Sequence, residues 1–345
     1  MRAFFKSRPR LTASAVAVLA IVATTVGLAS QPSRPVLNLD AYQDANGIIR
    51  TFKNGDASDP YFGVYPLVLA QRAGLNADRN ARRFIAWGLA HQGEDGRFPR
   101  FCKVEGSWSP CKRADSDDAT LARWIELLYR TAGDGPLPAT WRQSIARAEA
   151  ALLKLRLANG VYSVFPHDTP GYDGYALFKD NVEVLSAAEA IAGLLDVRKD
   201  ADDARRWHAR ARRLRAAMEV QFGDKPFALK RLALPTDYDK KMFYPHAVAI
   251  PFAWAEGYIQ SPGLQLWKHW LADNKEAWKA NAETDYPWGL MAVAGAQAGD
   301  LETAACWMKK YRSYQQKDYR WTVLEESAAQ VVQYKTAGVR CTQPF

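Results

Sequence analysis

The residues best suited to chemistry are carboxylic acids that recur at the starts of apolar segments. Asp59 precedes Pro60 and Tyr61, Asp117 and Asp118 follow Ala114-Asp-Ser, and Asp180, Asn181 and Glu183 open a third segment. Asp285 stands before Tyr286-Pro-Trp288, and Glu325 and Glu326 open the last segment. Two carboxyl groups on either side of a scissile bond can divide the work of acid and base. Each acid also has a plainer use. Asp and Glu at a helix N-terminus cap free amides and complement the helix dipole. Capping explains any one of them, Asp59 and Asp285 above all, but not their recurrence at the same place in segment after segment. The run Ala114–Trp124 is the densest. One of Asp115 or Ser116 suffices there as a cap, which leaves Asp117 or Asp118 to face a cleft.

Aromatic residues accompany the acids. Tyr61, Phe98, Trp108, Phe165, Tyr172, Tyr175, Tyr244, Tyr286 and Trp288 fall in the loops and segment starts. Sugar rings stack their C–H faces on aromatic planes and pair their hydroxyls with carboxylates, so a cleft of acids and aromatics suits a polysaccharide or oligosaccharide. The plainer alternative is that these rings pack long loops. His246, after Tyr244-Pro245, reads as a structural histidine or as a group that orients substrate or acts as base. His167-Asp168 lies in a Gly/Pro-rich loop and reads as surface. The sequence holds no metal-ligand pattern, no Gly-rich phosphate loop and no Gly-x-Ser-x-Gly elbow, so neither metal nor cofactor is expected.

The elements that must position these groups are helices. Apolar residues recur at three and four positions in twelve segments: 38–53, 60–74, 79–92, 116–130, 139–157, 180–197, 200–221, 245–259, 263–280, 286–299, 301–316 and 322–336. Alternation at period two is scarce. Small, almost wholly apolar segments such as YFGVYPLVLAQRAG alternate with amphipathic, charged ones such as PATWRQSIARAEAALLKL. The first kind is buried on most sides and the second covers it. Six inner and six outer helices make an all-α (α/α)6 barrel. A helical solenoid would need a fixed repeat, which the units lack. Three long connections, 93–115, 158–179 and 222–244, lead from outer to inner helices. All of them emerge at the end where the inner helices begin, so that end is expected to hold the site.

The chain opens with a leader. Arg2, Lys6, Arg8 and Arg10 precede an apolar run from residue 11 to about 28, with Gly27 and Ala29 placed for cleavage. Residues 1–30 thus read as a secretory signal, or as an uncleaved anchor tying the chain to the inner membrane through residues 11–28. Residues 31–345 read as one barrel domain in the periplasm or secreted. Setting aside the four basic residues of the leader reduces the net charge from +9 to +5. Much of the remainder lies in Arg205–Arg215, a solvated helix face or a patch for acidic polymers. Nucleic acid is not an expected partner outside the cytoplasm. Four cysteines in an oxidising compartment suggest two disulfides. Cys102 and Cys111 bracket one loop, and Cys306 and Cys341 would tie a late helix to the tail.

Three stretches resemble the six-hairpin glycosidase superfamily, most closely glycoside hydrolase family 8. Asp56-Ala-Ser-Asp-Pro-Tyr-Phe-Gly-Val-Tyr-Pro-Leu-Val-Leu-Ala70 is similar to that family's first inner helix. Asp95-Gly-Arg-Phe98 with Ala114-Asp-Ser-Asp-Asp-Ala-Thr-Leu-Ala122 is similar to its Asp-Gly turn and its Ala-Thr-Asp-Ala-Asp helix. Tyr244-Pro-His-Ala-Val-Ala-Ile-Pro is similar to its Tyr-Asp-Ala-Ile-Arg-Val-Pro helix. The resemblance implies the barrel fold and a glycoside-cleaving activity, with Asp59 at the place of the family's catalytic glutamate. His246 and Ala249 stand where the family has Asp and Arg. The expected catalytic set is Asp59 as acid with Asp117 or Asp118 as partner carboxylate. Tyr61, Trp108, Tyr175, Asp180, Glu183, His246, Asp285, Trp288 and Glu325 are expected to contact substrate. The rival readings are a polysaccharide lyase or uronate epimerase on this fold, and a non-catalytic exopolysaccharide-assembly protein.

Overall fold

A helix that is apolar all round must be surrounded, and the computed structural model shows how. It describes residues 34–166, 169, 175–223, 230–231, 242–258, 263–316, 319–342 and 345. Residues 1–33, with the segment expected to be a leader, and His167, Asp168 and Tyr172 lie outside the described residues. The helices are α1 (Pro60–Arg72), α2 (Asp78–His91), α3 (Asp117–Ala132), α4 (Ala139–Lys154), α5 (Phe178–Val197), α6 (Ala201–Phe222), α7 (Ala249–Ala255), α8 (Leu264–Thr284), α9 (Gly289–Gln297), α10 (Leu301–Tyr311) and α11 (Val323–Lys335). The odd-numbered helices pack in a closed ring: α1 on α3, α3 on α5, α5 on α7, α7 on α9, α9 on α11 and α11 back on α1. Even-numbered helices cover that ring, each turning its apolar stripe inward. Trp207 on α6, Trp267 and Trp278 on α8 and Trp307 on α10 are fully buried in the seam. This is the (α/α)6 barrel. Among the described residues no helix is long and apolar enough to cross a membrane.

The first outer position departs from expectation. Residues 38–53 form turns rather than a helix. Asn46 Oδ1 accepts the Ile48 amide at 3.2 Å and Gly47 takes φ 98°, so Asn-Gly reverses the chain and Gln43 bridges Ile49. Leu39, Tyr42, Ile48 and Ile49 still bury their side chains, which is why their spacing looks helical. Paired hydrogen bonds between Asn38 and Gln330 (2.9 and 2.7 Å) and the bridge from Phe52 to Thr322 fasten this segment to α11.

The 93–115 connection contains two strands, β2 (Pro99–Val104) and β3 (Ser107–Arg113), which pair antiparallel, with the short β1 (Ala57–Ser58) on the other edge of β2. Disulfides join Cys102 to Cys111 across that hairpin and Cys306 on α10 to Cys341 in the tail, as their places in the sequence suggest. Most of the basic face of α6 is matched locally: Arg205 by Asp202, Arg206 by Asp203 and Glu149, Arg210 by Glu149, and Arg215 by Glu189.

A charged network lies inside the ring. Arg123, fully buried on α3, touches Glu256 at the C-terminal end of α7 and lies 3.3 Å from Glu126. Arg72 reaches Glu126 at 2.6 Å, Glu256 at 2.9 Å and Ser186 at 2.6 Å. The Tyr65 hydroxyl donates to Glu256 as well. Four inner helices are thereby pinned to one another by groups that are buried or, for Arg72, mostly buried.

Candidate active site

Inner helices of one direction all start at one end of the ring, and the polar groups of their first turns converge there. A cleft of about 450 Å³ opens at that end. Its walls include Asp59, Tyr61, Arg100, Asp115, Lys179, Tyr244, Asp285, Tyr286, Trp288 and Glu325. Thr51 and Phe52 of the N-terminal segment, together with Thr322, close one side.

Asp59 is the N-cap of α1. Oδ1 accepts the Tyr61 amide at 3.0 Å. Oδ2 accepts Arg100 Nε at 2.8 Å, Arg100 Nη2 at 2.7 Å and the Asp115 amide at 3.0 Å. A register irregularity between Arg100 and Phe101 re-aims the strand so that Phe101 enters the core while Arg100 reaches the cleft. Burial raises the Asp59 carboxyl, and Arg100 pulls it back down. The Asp59 carboxyl thus lines the cleft already engaged by two backbone amides and the Arg100 guanidinium.

The Ala114–Asp118 run is arranged opposite to expectation. Helix α3 begins at Asp117. Asp115, before the turn, points its half-exposed carboxyl into the cleft, 4.0 Å from Arg100 Nη2. Asp117 and Asp118 fold back into the wall. Ser116 Oγ donates to Asp118 Oδ1 at 2.7 Å and lies 3.2 Å from Asp180 Oδ2, so Asp118 and Asp180 share one hydroxyl below the cleft floor. Burial raises both carboxyls. Asp117 lines a separate groove.

Glu183 also lies beneath the cleft, where its Oε1 accepts the Tyr61 hydroxyl at 2.7 Å. Burial pushes Glu183 up to about 7, against the pull of Lys179 and Arg123. Lys179, which the sequence reading overlooked, stands between these acids and the cleft. Its ammonium lies 3.4 Å from Asp180 Oδ1 and 4.8 Å from the centre of the Phe252 ring. An acid-rich floor needs a counter-cation, and that was the available signal.

The most perturbed acid in the cleft is Glu325, in the first turn of α11. Burial pushes its carboxyl up to about 8, helped by the charge of Asp285, while the amides of Gly289 and Trp288 oppose the rise. Oε2 accepts the Gly289 amide at 2.7 Å. Trp288 adopts φ 54°, ψ 57°, a left-handed conformation that a bulky residue rarely takes. That residue followed by the helical Gly289 makes successive amides converge on one anion-sized spot. The Trp288 ring stacks on Tyr244, with centroids 5.3 Å apart at 25°. Gly289 leaves room for this approach. A Cβ there would come within 2.7 Å of Ala328 Cβ and 2.8 Å of both Glu325 Oε2 and Trp307 Cη2. Gly289→Ala is therefore expected to displace Glu325 and lower stability by about 1–3 kcal/mol, measured as a shift of the urea unfolding midpoint.

Other expected contacts fall elsewhere. Trp108 donates Nε1–H to Asp44 at 2.9 Å on the hairpin. Tyr175 pairs with Arg231 in a two-stranded ribbon, and His246 is buried in the turn before α7. Tyr61, Asp285, Trp288 and Glu325 do line the cleft. Among the described residues no group of three or more His, Cys, Asp or Glu is placed to hold a metal ion.

No protein-family description and no curated protein sequence matches the chain. Solved structures do. A glycosidase superposes with a TM-score of 0.55 at 13% identity, over 86% of this chain and 94% of its own. An α-amylase from Clostridium perfringens superposes at 0.53 and 13% identity, with coverage of 86% and 94%. An endoglucanase from Klebsiella pneumoniae, a family 8 glycosyl hydrolase, superposes at 0.47 and 16% identity, over 87% and 97%. The chain thus shares its fold with the first two over most of its length.

Proposed function

We propose that this chain is an exported glycoside hydrolase, with Glu325 as proton donor and Asp115 as partner carboxylate. The observation that carries the reading is Glu325, a buried carboxyl held near 8 on the wall of a cleft with aromatic faces. A carboxyl that keeps its proton at neutral pH can give it to a departing glycosidic oxygen. Asp115 is the natural counterpart. It stands just before α3, Glu325 lies in the first turn of α11, and α1 lies between those helices in the ring. Asp115 is exposed to the cleft and fixed through its own amide by Asp59. Asp285 has a different task, since its charge favours the protonated form of Glu325. Tyr244 and Trp288 give the sugar an apolar platform. The two disulfides support a place outside the cytoplasm.

The rival readings have less support. A lyase or epimerase would gather free cations to neutralise a uronate at the reacting carbon. Here Arg100 is matched by Asp59 and Lys179 by Asp180. A purely structural sugar binder has no need of a protonated buried acid facing exposed carboxylates.

The test is a reducing-end assay on neutral and acidic polysaccharides, with the ultraviolet absorbance of unsaturated uronate ends followed alongside. New reducing ends without absorbance are expected. Asp115→Asn, at an exposed position, should fold normally and lose about a hundredfold in kcat. Rising absorbance would replace the hydrolase by a lyase. Binding without cleavage of any member would replace it by an accessory protein.

A further inference from the structure

The catalytic proposal leaves Asp117 without a task, and the structure puts it in a groove of its own. That groove, of about 250 Å³, is formed by Asp95, Arg97, Phe98, Pro99, Arg113 and Asp117. It shares a wall with the cleft. Pro99 pairs with Arg113 at the root of the hairpin, and the next residue, Arg100, faces the cleft, as does Asp115 two positions beyond Arg113.

Two features of the groove are unbalanced. Arg97 is matched by Asp95 at 2.7 Å and Arg100 by Asp59 at 2.7 Å. The Arg113 side chain, by contrast, has neither a carboxylate within ion-pair distance nor a hydrogen bond among the described residues. Its guanidinium lies over the Phe165 ring, 5.1 Å from the centroid. A guanidinium braced on a ring keeps its edge donors free for a two-pronged contact with a carboxylate. The second feature is Asp117, only 3% exposed, whose Oδ2 accepts no hydrogen bond. Its nearest cation, Arg97 Nη1, is 3.7 Å away. Buried carboxyl oxygens are seldom left without a donor. Burial pushes this carboxyl up to about 6, against Arg97 and Arg113.

An occupant that corrects both must present a carboxylate to Arg113 and a hydroxyl to Asp117. A hexuronic acid carries both on one ring. We propose that the groove is a second subsite, selecting a glycan whose acidic residue docks at Arg113 and Asp117 while an adjoining residue occupies the cleft. This rests on the carbohydrate reading of the cleft but not on catalysis. Acidity here is recognised beside the reaction centre, so it calls for no lyase chemistry.

The test is calorimetric binding of glucuronate- and galacturonate-containing trisaccharides against their neutral counterparts, using the whole exported chain. The acidic ligands are expected to bind about tenfold tighter, the value of one charged hydrogen-bonded contact. Arg113→Gln should remove that preference by weakening the acidic ligands to the level of the neutral ones. Lys112→Gln, on the same strand, controls for general charge and should keep it. Equal affinity for acidic and neutral ligands, no binding of any acidic ligand, or a preference that survives Arg113→Gln would overturn the subsite. Failure of the hydrolase reading looks different. Acidic preference would persist with no cleavage by the wild-type chain.

Discussion

Glu325→Gln is expected to lower kcat on polysaccharide by about 10³–10⁴-fold, the upper range for loss of a general acid, because a sugar alkoxide leaves poorly without a proton. Binding should survive, since Gln keeps an oxygen for the Gly289 amide. Two readouts separate loss of the acid from general damage. With an aryl glycoside whose phenolate leaves unaided, the deficit should shrink sharply. In the wild type, activity should fall as pH rises through about 8, where Glu325 gives up its proton. The variant should lose that limb. Stability should fall over the same rise in pH. The folded value lies above the ordinary glutamate value of 4.5, so the stabilising contribution is complete below 4.5 and is lost as pH rises to about 8. At pH 8 the variant should therefore unfold at a higher urea concentration than the wild type. If the alkaline limb persists in the variant, another group is the acid.

Why the barrel was legible and part of the site was not follows from particular residues. Helices α1, α5 and α9 are apolar on nearly every side because each is enclosed by two ring neighbours and an outer helix. That enclosure leaves an unmistakable composition. Residues 38–53 show the limit of the same reasoning. Their apolar spacing is real, since Tyr42 and Ile49 are buried, but Asn46-Gly47 reverses the chain between them. Burial leaves the periodicity and does not by itself decide between a helix and a folded turn. Hairpin β2–β3 has too few residues for its alternation to stand out.

The acids divide by a difference of one or two positions. Asp115, just before α3, projects into the cleft, whereas Asp117 and Asp118 in the first turn are drawn into the wall. Sequence located the cluster but not the phase of the helix start. Glu325, in a first turn itself, reaches the cleft because the left-handed Trp288 and the bare Gly289 clear a place for it. No propensity rule announces a left-handed tryptophan. The missed cations, Arg100 and Lys179, are the necessary complement of so many converging carboxylates, and charge balance would have pointed to them.

A second large effect is expected at a buried group that does not line the cleft. Glu256→Gln is expected to destabilise the protein by about 3–5 kcal/mol, because it strands a fully buried Arg123 with Glu126 as its remaining carboxylate. Burial by itself would raise the Glu256 carboxyl, but Arg123, Arg72 and the Tyr65 hydroxyl hold it down at about 2. Since that value lies below the ordinary glutamate value of 4.5, the contribution is present above 4.5 and is lost as pH falls through about 2. The gap between wild type and variant in urea unfolding should therefore be full at pH 7 and narrow below pH 4.5. Adding Arg123→Met should recover part of the loss, because the stranded charge departs with it. A small effect at pH 7, or a double variant no better than the single, would mean that the four helices are held by apolar packing alone. The expected result makes the network a clamp on α1, α3, α5 and α7. Three of those helices carry Asp59, Asp115 and Lys179 at their starts, so the clamp also fixes the geometry of the cleft.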